Sequence, residues 1–262
     1  MRPRTRRNRF SLHTAKIIFA SACLCVSALT AFAADNFSRV ILRPEVSRSH
    51  REELRTRLQA ITGLTNLKFD ANGSLRLDGE PATRGSESAR ALLSQALKGP
   101  NFIIIEDASS RSDVAFARVV RGRWLRGEST NPPAYVVLID FTDFHRLSGD
   151  AEARAAFDVG WGLLHEVDHV VSDSEDAQDQ EAVGECEDHI NRMRREVGLP
   201  IRVDYFFSRA YLKADANFNA RYVRLSFERR DETSLQTKRY WLVWDAATVG
   251  GLLGESQRAL VR

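Results

Sequence analysis

The stretch FDVGWGLLHEVDHVVS, Phe157–Ser172, decides how the rest of the chain is read. Leu163, Leu164, Val167, Val170 and Val171 recur at helical spacing, which places His165 and His169 one turn apart on a single face. Two imidazoles so placed can hold one metal ion together, with Glu166 directed to the neighbouring side of that ion. Gly160 and Gly162 each weaken such a helix by roughly 1 kcal/mol relative to alanine. Their presence makes sense if another element packs closely there.

Around this helix the chain divides into a leader and one domain. Arg2, Arg4, Arg6, Arg7, Arg9 and Lys16, followed by the apolar run IIFASACLCVSALTAFAA with its Ala31-Phe32-Ala33 ending, describe a secretory signal peptide over residues 1–34. Residues 35–262 then form a single exported domain, periplasmic or secreted, that meets a membrane only during export. The whole chain carries 38 basic and 35 acidic residues. All six basic residues of the leader leave with it and no acid does, so the remainder is mildly acidic and nucleic acid is not an expected partner. Hydrophobic content of 43% is that of a folded domain rather than a disordered chain. Cys23 and Cys25 also lie in the leader. Cys186 alone remains, which excludes an intrachain disulfide and reads as a small buried hydrophobe.

Before the histidine helix, SRSHREELRTRLQAIT and SESARALLSQALKG show helical periodicity, and LKFDANGSLRLDG alternates around Asn72-Gly73 as a hairpin does. NFIIIED, VAFARVVRGRW and AYVVLIDF read as strands. After it, RYVRLSFERR and KRYWLVWD form a second hairpin, with Tyr222, Phe227, Tyr240, Trp241 and Trp244 expected to cover one side of a sheet. Strands and helices mix without regular alternation, which predicts an α+β arrangement. His50 reads as an exposed residue of its helix and His145 as a loop residue. The acids Asp173, Glu175, Asp176 and Asp179 read as a solvated turn, with calcium binding the alternative.

A catalytic zinc takes three protein ligands and keeps a fourth position for water. Candidates for the third ligand lie in EAVGECEDHINRMRREVGLP, a second helix on which Glu181, Glu185, Asp188, His189 and Arg192 share one face. That face is expected to turn toward His165 and His169, with Glu185 as third ligand and Glu181 as the alternative. Tyr205, just beyond the helix, is a candidate for stabilising an oxyanion, as is Arg202.

Over about 40 residues this pattern resembles the zincin metallopeptidases, in the branch where the two histidines of HExxH are joined by a glutamate from the next helix. NRMRREVGLPIRVDY is similar to a segment that follows the metal helix in bacterial secreted HExxH proteins. The resemblance implies Zn2+ as cofactor, Glu166 as general base, and a peptide or protein substrate. It also implies a modest mixed or antiparallel sheet packed beside an active-site helix and a second ligand-bearing helix. Two departures stand out. His189 occupies the place where an aspartate four residues after the third ligand would orient the first histidine, whereas Glu181 is followed at that spacing by Glu185. Ser172 and Glu175 break the longer HExxHxxGxxH pattern. The expected function is therefore an exported zinc-dependent hydrolase of peptide bonds; the alternative is an exported binding or scaffold protein whose metal site is structural or vestigial.

Overall fold

A computed structural model describes residues 38–78, 84–109, 111–122, 133–179, 182–210, 222–231 and 233–250, all within the unit Ser38–Arg262. The expected leader lies outside them. Strand β1 (Val40–Leu42) leads to helix α1 (Arg48–Thr62), which the Ser47 hydroxyl caps by accepting the His50 N–H and which Gly63 ends in the left-handed conformation. The hairpin β2 (Asn66–Phe69) and β3 (Leu75–Asp78) follows, then α2 (Glu87–Lys98) with Ser86 as its cap. Strands β4 (Phe102–Asp107), β5 (Ala117–Arg121) and β6 (Ala134–Ile139) come next. The loop expected around His145 instead holds α3 (Phe141–His145) and β7 (Ser148–Gly149), and α4 (Ala151–Ala155) follows. The histidine helix is α5 (Val159–Ser172), and α6 (Glu185–Glu196) follows it. The chain closes with β8 (Ile201–Arg202), β9 (Ser208–Ala210), β10 (Tyr222–Arg230) and β11 (Thr237–Asp245).

The fold is mixed α+β. One sheet runs β1-β4-β6-β5, parallel across its first three strands and antiparallel at the β5 edge. The second is antiparallel, β7-β11-β10-β8, with β9 also on β10. In the β10–β11 register Phe227 faces Tyr240 and Val223 faces Trp244, and these four are buried. Tyr222 and Trp241 fall on the opposite face, because residues an odd number apart on a strand point to opposite sides. The expected one-sided aromatic cover is thus a smaller set.

Helix α5 lies inside the larger core, where it packs against α1, α2, α6, β5 and β6. Its side chains Leu163, Leu164 and Val167 are fully buried beside Leu58, Leu93 and Ile190, each contributing ~1.5–3 kcal/mol over its exposed state. Asp158 starts it by accepting the N–H groups of Gly160 and Trp161, and burial raises the Asp158 carboxyl to about 6. The two glycines are explained by close neighbours. A Cβ on Gly160 would stand 2.9 Å from both Arg57 Cβ and Ile61 Cδ1, and one on Gly162 would stand 2.6 Å from Phe144 Cζ. Phe144 is itself hemmed by Phe116 and Phe157, at centroid distances of 5.4 and 5.8 Å. Gly162→Ala is therefore expected to destabilise the fold by about 1–3 kcal/mol despite its better helix propensity, measured as a lowered urea midpoint at unchanged slope.

Candidate metal centre

Because α5 is regular through its centre, His165 and His169 sit one turn apart as expected, their rings 4.8 Å apart and nearly perpendicular. Their partners are not the expected ones. Asp176, in the segment that connects α5 to α6, places Oδ1 3.0 Å from His165 Nε2 and 3.3 Å from His169 Nε2. Cys186, in the first turn of α6, is fully buried beside them. Among the described residues, His165, His169, Asp176 and Cys186 form a group whose donor atoms all lie within 4.8 Å of one another.

This set is able to chelate a metal ion. Tetrahedral coordination with bonds of about 2.0–2.3 Å puts neighbouring donors about 3.2–3.7 Å apart, close to the two imidazole–carboxylate distances. Imidazole, thiolate and carboxylate together suit a borderline divalent ion such as zinc. Each ring is also oriented from behind. His169 Nδ1 donates to the Ser174 carbonyl at 2.8 Å, and His165 Nδ1 lies 3.5 Å from Glu187 Oε2, so Nε2 of both is left to face the cluster. Glu187 is itself fixed by buried Arg194 and by Arg202.

The electrostatics follow from this packing. Burial alone would lower both imidazoles, but the bonds to Asp176 and the neighbouring Cys186 outweigh it, raising His165 strongly and pushing His169 up to about 11. Burial would raise Asp176, yet the two imidazoles hold it well below the usual carboxylate range. Burial raises Glu166 and Tyr205, and the nearby Asp176 carboxylate adds to the Tyr205 shift. Glu187 goes the other way, since Arg194 and Arg202 outweigh its burial.

A cleft of about 160 Å³ opens beside the cluster, lined among others by His165, Glu166, Tyr205, Phe116 and Phe157. Glu166 is buried and its Oε2 accepts the Val119 N–H of the edge strand β5 at 2.8 Å. Tyr205 stacks on His165 at 6.4 Å between centroids. Arg202 lines the cleft too and donates to Glu187, the Asp204 carbonyl and the Tyr205 carbonyl, which uses three of its five N–H groups and holds Tyr205 in place.

Comparison with protein-family models, with curated proteins and with solved structures returned no match. The resemblance to zincins does not hold: the donor cluster joins its two histidines to a thiol and an aspartate where that branch has a glutamate. Glu185 is exposed at the first turn of α6 and outside the cluster, and Glu181 lies outside the described residues. The acidic face read from the wheel is not the one α6 turns inward. Cys186, Ile190 and Met193 are buried, while His189 turns to Asp168, its Nδ1 2.8 Å from Oδ2. Asp176 belongs to the run read as a solvated turn. His50 and His145 are remote from the cluster; His50 meets Asp107 at 2.6 Å and His145 meets Glu53 at 2.9 Å.

The donor set makes a direct prediction. The purified chain loaded with Co2+ will show thiolate-to-cobalt absorption in the near ultraviolet, and Cys186→Ser will remove it and weaken cobalt binding by about 100-fold or more, beyond the 10–100-fold cost of losing an outer partner. Glu185→Gln will leave both unchanged.

Proposed function

We propose that the chain is an exported, zinc-dependent hydrolase of peptide bonds. The observation that carries this reading is the cleft beside the donor cluster, with the Glu166 carboxylate in its wall. A divalent ion in this site would polarise a carbonyl and acidify a water molecule. Glu166, raised by burial, is suited to take the proton of an attacking water and deliver it to the leaving amine. Tyr205, kept neutral, is suited to donate to a developing oxyanion. An adjoining cavity of about 260 Å³, with Phe206, Phe207, Leu225 and Trp244 in its walls, shares Phe116, Phe157 and Tyr205 with the cleft and suits a nonpolar substrate side chain. The basic head and apolar run of residues 1–34 support export.

A structural metal site is the second reading, favoured by the four donors, which are enough to close a tetrahedral shell. Glu166→Gln separates the two. On the catalytic reading the variant keeps one zinc per chain and its thermal stability but loses about 10²–10⁴-fold in kcat/KM on a peptide library. Equal cleavage by both proteins would reject Glu166 as the base, and none by the zinc-loaded parent would reject catalysis.

A further inference from the structure

The four donors are not held alike. His165 and His169 sit on α5 within the core, and Cys186 is fully buried in the first turn of α6. Asp176 comes from the connecting segment. Its side chain is 44% exposed and its backbone is pinned by a bridge to Gly184. Withdrawing an imidazole or the thiol from a bound ion would leave a polar group stranded in the core or open a cavity there. Withdrawing Asp176 returns a carboxylate to water that already reaches it.

We infer that Asp176 is an exchangeable donor, which closes the metal site at rest and yields its place to a neutral or anionic oxygen or nitrogen ligand entering through the cleft. The inference rests on the metal-dependent reading of the same site. Charge gives the exchange a direction: two imidazoles, a thiolate and a carboxylate leave a divalent ion neutral, whereas loss of the carboxylate leaves one positive charge that favours an incoming anion or carbonyl. The Tyr205 hydroxyl answers the same event. Tyr205 lines the cleft with its ring stacked on His165, so once the carboxylate leaves it is placed to donate to whatever takes that position. Asp176 thus acts as a plug on the centre, and Tyr205 is the group placed to meet what replaces it.

The test uses the Co2+-loaded full-length mature chain, its Asp176→Asn and Tyr205→Phe variants, and thiocyanate as the probe, read from the visible cobalt bands. Asp176→Asn is expected to keep the thiolate absorption, to weaken cobalt binding, and to bind thiocyanate about tenfold or more tightly than the parent. Tyr205→Phe removes the donor placed for the incoming ligand and is expected to lower thiocyanate affinity by a smaller factor, which keeps the idea testable if Asp176→Asn does not fold. Unchanged thiocyanate affinity in the folded variants, or loss of the thiolate absorption in Asp176→Asn, would overturn the inference. Absence of peptide cleavage with these spectral changes intact would reject the hydrolase alone.

Discussion

Helix α5 is an apolar core helix that nevertheless carries four ionisable side chains in a row of five residues, and the surrounding structure is arranged to give each a partner. An unpaired polar group in such a place costs several kcal/mol. Glu166 is met by the backbone of β5, His165 by Asp176 and Glu187, His169 by Asp176 and the Ser174 carbonyl. Asp168 accepts from Ser172 and Ser174 and meets His189. The edge strand, the connecting segment and α6 therefore each occupy positions that this one helix requires.

Asp168 illustrates how far the requirement extends. Its Oδ2 accepts the Ser174 hydroxyl at 2.7 Å while the Ser174 carbonyl accepts from His169 at 2.8 Å. Through Ser174 a buried carboxylate on the far side of the helix fixes the turn that orients a donor ring. His189, read from the sequence as facing the metal, anchors that carboxylate instead.

What could be read from the chain was what periodicity and local chemistry encode. The histidine pair is legible because an α-helix fixes its geometry, and both hairpins are legible because strand alternation and Asn72-Gly73 are local signals. The parallel sheet was hidden, since β1 and β4 pair across two helices and a hairpin. The inward face of α6 was missed because its charged residues were followed in place of its apolar stripe. Cys186, Ile190 and Met193 recur at helical spacing and mark the buried side. Cys186 was recognised as buried, but burial beside imidazoles gives a thiol a different use. Asp176 had no local signature to set it apart from its acidic neighbours. Its selection depends on the path of the connecting segment, turned back by Gly184 at φ 83, where a Cβ would stand 2.3 Å from the Ala177 nitrogen.

The same contacts weigh the two readings of the centre against each other. A structural metal joins segments that would otherwise part, yet α5 and α6 are already joined by the apolar contacts around Ile190 and Met193 and by the pair Asp168–His189. The Glu187–Arg194 pair adds a further tie, since Arg194 also donates to the Ala156 carbonyl at 2.8 Å, just before α5. A bound ion would add restraint mainly to the segment bearing Asp176. That role explains one donor of four and leaves Glu166 without a purpose, a buried carboxylate whose desolvation is only partly offset by the two imidazoles and one edge-strand amide. A reading in which Glu166 handles protons at the cleft accounts for that cost and for the asymmetry among the donors together, because a site that must open needs three firm donors and one that can leave.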